Sequence, residues 1–380
     1  MFKSPIKIAI LTNVIPTYRE GFYDRLFGSE EVKVKVYCQS NVPGINYKTI
    51  HHQYPDNVKL LKFVAARNEQ IVLQFIPIFE ILKNYDIVFI DGNPRIVSHA
   101  LFATFMRILN RKVIVWSMVH SFKNNRLTEN IRIFWLRCFR YHFLYNDADV
   151  LLLKERGFND KIMIGMNNGL DQKKIDNISS SWTEASLEDW QKKMGINDKF
   201  LVISSGRIEK NKYLEMVLAL PKIVEKIPNF LWCLIGDGAD KANLENKVSE
   251  LNLNQNIRFL GEIYEQESLA PWFLSALFFV HPTAVGLSIM HAFGYSLPII
   301  THDVLAEHGP EFVAFENHKT GLLYQKGNFN DLANCVFEIS QNRKKLFEMK
   351  ANVLTIAREK YNVDVMVKRF LMIVNQVSKA

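Results

Sequence analysis

The chain has 380 residues, 48% of them hydrophobic and 23% charged, with a formal charge of +8 at pH 7. At about 100–200 residues per domain, that length makes two domains, each able to bury a core. Disordered, collagen-like and low-complexity classes are excluded: 12% of residues are aromatic, and the 17 Gly and 12 Pro lie scattered. Cys38, Cys138, Cys233 and Cys335 stand far apart, without a CxxC pair or a histidine at metal-ligand spacing. They read as core thiols in a reducing compartment, not as a disulfide framework or a zinc site. No run approaches the roughly 18 apolar residues of a membrane-spanning helix. The apolar stretch 8–15 is interrupted by Thr12 and Asn13 and lacks a small-residue cleavage site, so it is not a signal peptide. The expectation is a cytoplasmic protein.

In chain order, short β-branched runs predict strands over 7–13, 32–38, 85–91, 112–118, 149–153 and 161–164. A second series follows over 200–204, 230–235, 257–260, 277–281 and 298–301. Helical spacing fills the gaps; Leu214, Val217, Leu218, Ile223 and Val224 share one stripe, and Leu244, Val248 and Leu251 another. The alternation predicts an α/β chain of two doubly wound, Rossmann-like domains. The expected division is 1–178, a polar linker 179–198 with room for one short helix, a second domain 199–361 and a last helix 362–380 packing back on the first domain. Two such domains set a cleft between the carboxyl ends of their sheets, where ligands meet helix amino termini.

Charge is divided unevenly. Residues 1–178 hold 25 basic and 16 acidic residues, the rest 22 and 23, so the first half carries the whole excess. The excess is densest around Arg126, Arg132, Arg137 and Arg140. There, 130–145 interleaves arginines with Phe134, Trp135, Phe139, Tyr141, Phe143 and Tyr145. Two readings stand: a core helix with a solvated basic side, or a surface that docks on an anionic membrane. No nucleic-acid-binding motif is present.

Three segments of the second half carry chemistry. Gly206 lets the backbone turn at a strand end, and Arg207 and Lys212 follow with a guanidinium fork and a point charge suited to phosphate oxygens. The plain alternative is a solvated loop, since Glu209 and Lys210 share the stretch. Gly236-Asp237-Gly238 ends another strand and permits close backbone approach, though it is not a full dinucleotide fingerprint and argues against a nicotinamide enzyme. Gly286 precedes a helix whose first N–H groups would face an anion, and His291 lies about one turn inside it. A structural histidine bonded to a carbonyl is the rival reading of His291.

The order of these motifs resembles the donor domain of family-4 retaining glycosyltransferases, which have the GT-B architecture of two facing Rossmann-like domains. Gly206-Arg207 with Lys212 matches the family's pair for the donor diphosphate, and Gly236-Asp237-Gly238 its Gly-Asp-Gly turn. Asn256 to Gly261, containing Arg258, matches the strand beside the nucleotide base. Gly309-Pro310-Glu311 and Thr320-Gly321-Leu322-Leu323 match the later signature, and Asn168-Gly169-Leu170-Asp171 a motif before the linker. The family's two glutamates, eight positions apart, fall on Thr283 and His291, so neither is a carboxylate here. The segment from Val285 to Asp303 is instead similar to a subgroup that assembles capsule, O-antigen or exopolysaccharide.

The resemblance implies Arg207, Lys212 and His120 as catalytic residues. It implies donor contacts from Gly206, Gly236, Arg258, Thr283, Gly286, Leu287, Ser288, His291 and Glu311. On the acceptor side it implies Tyr18, Arg19, Asn93 and Arg95, with plain loop chemistry as the rival reading of His120 and Arg19. The donor would be a UDP- or GDP-sugar and the acceptor a glycan, lipid-linked at the cytoplasmic face of a membrane. No cofactor is implied, and no Asp-x-Asp motif suits Mg²⁺. The rivals are a sugar-nucleotide-binding scaffold that has lost catalysis and a sugar-nucleotide epimerase of the same fold; a phosphorylase would need a lysine-bound pyridoxal phosphate, for which no motif is present.

Overall fold

The structure, a computed structural model, describes residues 4–42, 48–66, 71–119 and 126–380, the side chains of 126–129 excepted. Its strands are β1 (Ile6–Leu11), β2 (Val32–Cys38), β3 (Val58–Leu60), β4 (Phe63–Ala66), β5 (Ile71–Gln74), β6 (Ile87–Asp91), β7 (Lys112–Ser117), β8 (Tyr141–Leu144) and β9 (Ile162–Gly165). Six more follow: β10 (Phe200–Ser205), β11 (Phe230–Ile235), β12 (Ile257–Gly261), β13 (Phe279–His281), β14 (Ile299–His302) and β15 (Gly321–Tyr324). The first helices are α1 (Glu20–Phe27), α2 (Ile78–Asn84), α3 (Val97–Ile108), α4 (Arg126–Arg137), α5 (Asp147–Glu155), α6 (Gln172–Ser181) and α7 (Glu184–Met194). The others are α8 (Leu214–Lys226), α9 (Lys241–Glu250), α10 (Gln266–Ser275), α11 (Ser288–Gly294), α12 (Phe329–Gln341), α13 (Arg343–Glu359) and α14 (Val363–Lys379).

Two compact units result: Met1–Leu170 with Val363–Ala380, and Asp171–Asn362. In the first unit a parallel sheet runs β3-β2-β1-β6-β7-β8-β9, with β4 and β5 as a separate antiparallel ribbon. Its central strands are apolar on both faces because helices cover both, so their sequences run apolar without alternation. Helix α14 closes one face: Phe370 stacks on Phe89 with ring centroids 4.4 Å apart and meets Phe22 and Phe143 edge-on. Arg369 adds an ion pair to Asp147.

The second unit holds a parallel sheet ordered β12-β11-β10-β13-β14-β15. Its core gathers Val217, Leu220, Trp232, Leu234, Phe278, Tyr324 and Val336, all fully buried. In each sheet the strand order reverses once, between β1 and β6 and between β10 and β13. Loops that leave those strand ends diverge and open a crevice there.

Several expected elements differ. The run 149–153 is helix within α5, not strand. The Asn146 side chain accepts the Asp149 N–H at 2.8 Å, and Asp147 and Asp149 occupy the first turn, a start signal that overrides the apolar run. The stretch 130–145 is not one helix: α4 stops at Arg137, and Tyr141 to Leu144 form β8, buried at every position. The stretch 179–198 is not a linker. It contains the end of α6 and all of α7, where Trp190 meets Trp272 edge-on at 4.8 Å and Gln191 donates to Ser275. A single aromatic, Trp190, anchors a helix that its polar composition disguises.

Candidate functional site

In the second unit, the loops after β10 and β11 lie backbone on backbone. Gly206 adopts φ +152°, and its N–H donates to the Ile235 carbonyl at 2.9 Å. Gly236 adopts φ +140°, and a Cβ there would stand 2.1 Å from the Gly206 carbonyl oxygen. Both glycines are therefore required by conformation and by space. The Ile208 N–H donates to Asp237 O at 2.9 Å, which pins the loop that carries Arg207 and Lys212.

The two cations sit differently. Arg207 is exposed, with a loose ion pair to Glu209 at 3.7 Å. Lys212 is half-buried over Gly206 and the Tyr213 ring. Burial lowers its pKa, Glu209 opposes that, and Arg207 adds to it. Beside it, His281 ends β13; burial and then the Lys212 charge push its pKa down to about 3. The neutral ring donates from Nδ1 to the Thr283 carbonyl at 3.1 Å, which leaves Nε2 as an acceptor toward the Gly206 loop. The Tyr213 hydroxyl is buried in this corner without a hydrogen-bond partner among the described residues. His281 and Tyr213 are site residues that sequence reasoning did not single out; the signal was their position, at a strand end and directly after Lys212.

Across the strand reversal, the backbone N–H groups of Gly286, Leu287 and Ser288 have no acceptor among the described residues. The preceding residue is clamped from both sides: Val285 donates to His308 Nδ1 at 3.0 Å and accepts from the Gly309 N–H at 2.6 Å. His308 is itself stacked between His302 and Phe312, at 4.3 and 3.9 Å. Glu311 is buried next to Gly309, so the Gly-Pro-Glu motif backs the Gly286 loop. His291 lies in α11, edge-on to Phe273 at 6.4 Å. Burial pushes its pKa down to about 4, so at neutral pH it is an uncharged hydrogen-bonding group. Thr283 contacts the His281 ring through its hydroxyl. Arg258 stands apart from these loops in role, since it donates to the Met194 carbonyl at 2.8 Å and ties α7 to β12.

In the first unit, Tyr18, Arg19, Asn93 and Arg95 line one cavity of about 470 Å³ between the loops that follow β1 and β6. Arg19 is buried within it under Trp116, Tyr18 and Tyr145, whose ring centroids lie 5.3, 5.5 and 5.8 Å from the guanidinium carbon. Asp91 faces the same space; burial pushes its carboxyl up to about 6 against the lowering effect of the Asn93 N–H, Arg132 and Arg19. His120 lies outside the described residues. Asp147-Ala148-Asp149 has the spacing of a metal pair, but Asp147 is engaged by Arg369 and Asn167, and Asp149 accepts from Val119 N at 3.3 Å.

Residues 186–355 match the family model described as Glycosyl transferases group 1. An alpha-monoglucosyldiacylglycerol synthase of Acholeplasma laidlawii is 29% identical over 178 residues, 46% of this chain and 43% of that protein. A poly(ribitol-phosphate) alpha-N-acetylglucosaminyltransferase of Staphylococcus aureus is 22% identical over 172 residues, 45% of this chain and 34% of its own. The chain thus spans less than half the length of these relatives. Among solved structures, HepE of Anabaena in complex with UDP has the same fold, with a TM-score of 0.73 at 15% identity over 98% of this chain and 100% of that one. The match to the group 1 glycosyltransferase model lies within the second unit, and the chain has the GT-B fold.

Proposed function

We propose that the protein transfers a sugar, with retention, from a nucleotide diphosphate-sugar to a glycan or lipid-linked acceptor in surface-polysaccharide assembly. The observation that carries this reading is the pairing of Arg207 and Lys212, on a glycine-pinned loop, with the unengaged N–H groups of Gly286 to Ser288 across the strand reversal. In this reading donors from both loops hold the diphosphate, and each charge-assisted bond contributes about 1.5–3 kcal/mol. The bound UDP of the HepE structure supports a uridine diphosphate donor.

In the proposed front-face displacement, the acceptor hydroxyl oxygen bonds to the anomeric carbon on the side that the diphosphate leaves. The C–O bond to phosphate breaks, and the acceptor proton passes to the departing phosphate oxygen. Arg207, Lys212 and the backbone N–H groups neutralise the charge that develops there, which makes the reaction independent of a metal ion. His291, neutral and half-buried, would hold a ribose hydroxyl in place of a carboxylate.

The first unit supports docking on an anionic membrane face. Leu101, Phe105 and Ile108 on α3 and Ile131 and Phe134 on α4 are exposed, and Trp135 Nε1 joins the two helices through Thr104. No helix among the described residues is long and apolar enough to cross a membrane. Tyr141 and Phe143 take no part in this face, being buried in β8.

The test is transfer of labelled sugar by an Arg207→Ala variant. Loss of one preorganised donor predicts a fall in turnover of about 10²–10³ with the melting temperature unchanged; transfer at the wild-type rate overturns the leaving-group argument. Thr283 and His291, where the family has glutamates, favour a second reading, the non-catalytic scaffold. It predicts that the wild type binds UDP yet neither transfers nor slowly hydrolyses any donor.

A further inference from the structure

The cavity of the first unit contains more binding chemistry than its own residues satisfy. Arg19 is 6% exposed, yet its guanidinium forms no ion pair among the described residues; its neighbours there are the rings of Tyr18, Phe22, Trp116 and Tyr145, the Tyr18 hydroxyl as one hydrogen-bond partner, and the Met166 sulfur, 3.2 Å from Nη1. A guanidinium has five N–H donors, and aromatic faces and a thioether satisfy few of them. Ser117, 3% exposed at the end of β7, presents a hydroxyl to the same cavity with no hydrogen-bond partner among the described residues. A buried charge and a buried hydroxyl left in this state each cost free energy that only a bound partner returns.

The remaining lining fixes the sign of that partner. Among the described residues, Arg19, Arg95 and Arg132 face the cavity against the single carboxylate of Asp91. Asp91 forms no ion pair with Arg19 and is oriented by the Asn93 N–H at 3.0 Å, so it stays available to a ligand hydroxyl. The floor is held rigid from behind. Gln74 donates to the Thr12 carbonyl and to Gln39, while His99 contacts both Gln74 and the Asp91 carbonyl.

We infer that this cavity binds the anionic group of a sugar acceptor, a phosphate or a carboxylate, with the Arg19 guanidinium and the Ser117 hydroxyl as its donors and Asp91 on a neighbouring sugar hydroxyl. The inference rests on the acceptor role proposed for this unit and names the class of acceptor: a glycosyl phosphate or a uronic-acid residue, not a neutral sugar.

The test is calorimetric titration of the full chain at low salt, with UDP present in excess, using glucose 1-phosphate, glucuronate and glucose as probes. At least one anionic probe is expected to bind tenfold or more tightly than glucose, and the stronger of the two identifies the anion. Arg19→Gln should weaken that probe about tenfold, Arg19→Lys less, and Ser117→Ala several-fold, in line with the loss of charge-assisted bonds. Equal binding of glucose and both anions, or wild-type anion binding by both Arg19→Gln and Ser117→Ala, overturns the inference. UDP affinity, measured alone, separates the two readings: its absence defeats the donor assignment, while unchanged UDP affinity in Arg19→Gln shows that the variant is folded. Should Arg19→Gln lose UDP as well, the Ser117→Ala titration decides.

Discussion

Lys212 and Arg207 follow the same glycine, but the fold treats them oppositely. Arg207 lies in solvent, where its pair with Glu209 contributes little. Lys212 is drawn under the Gly206 loop, makes no ion pair among the described residues, and has its pKa lowered chiefly by burial. An isolated, partly desolvated ammonium opposes folding, and under the proposed function its charge serves a bound anion. Lys212→Met keeps the length of the stem and removes the charge. The expected result is a melting temperature equal to or above the wild type, with transfer reduced at least about 100-fold. The sign of the pH dependence follows from the lowered pKa: the native state binds fewer protons than the unfolded chain in the alkaline range. Wild-type stability therefore rises relative to the variant as pH approaches the ordinary lysine value. A variant that is both less stable and fully active would mean that Lys212 serves the fold.

Elements were legible where the chain gives a local signal and hidden where tertiary contacts decide. The runs over 32–38 and 230–235 coincide with β2 and β11: β11, buried on both faces, is apolar throughout, and β2 alternates buried valines with Lys33 and Lys35 before its buried end. Asp149 to Leu153 has the same composition yet forms a helix, since Asn146 and two aspartates start one. Tyr141 to Leu144 was masked by the aromatic, basic stretch around it, and β15 by the signature that contains it. The cations after β10 were legible as chemistry; the partners of Lys212, Tyr213 and His281, became visible only when β10 and β13 were placed side by side. The docking face proposed above falls on α3 and α4, whose exposed apolar residues share those helices with Arg107 and Arg137. Ile131→Asp with Phe134→Asp removes two large side chains from that face, each worth about 1.5–3 kcal/mol when buried. Sedimentation with anionic vesicles should then fall tenfold or more, and the wild type should bind weakly to neutral vesicles and at high salt. Equal binding to neutral vesicles, or by the double variant, removes α3 and α4 as the docking face.

Across the whole molecule, both units bury neutral histidines in their cores. Burial lowers the pKa of His99 and His142 in the first unit, and of His302 in the second, to about 4, and that of His281 to about 3. Each is engaged through its neutral ring: His142 donates to the Phe139 carbonyl at 3.2 Å, and His99 supports the cavity floor. In the unfolded chain these rings take up protons near pH 6.5, while in the native state they do not until pH is about two units lower or more. The unfolded state thus binds more protons throughout that window, so stability falls as pH falls from about 6.5 toward 4, by about 1.4 kcal/mol per pH unit for each ring. Four rings acting together would remove several kcal/mol within one pH unit, a large share of the 5–15 kcal/mol that ordinarily holds a domain together. Thermal unfolding at pH 8.0, 6.5 and 5.0 should show a small change across the first interval and a steep loss across the second. His142→Phe, placed against the Phe158 ring 5.9 Å away, should lower stability at pH 8.0 through the lost bond to Phe139 yet flatten the acid limb by one proton. A melting temperature that stays level from pH 6.5 to 5.0 would mean that these rings are already charged in the native state. The neutral Nε2 acceptor assigned to His281 beside Lys212 would then fail with it.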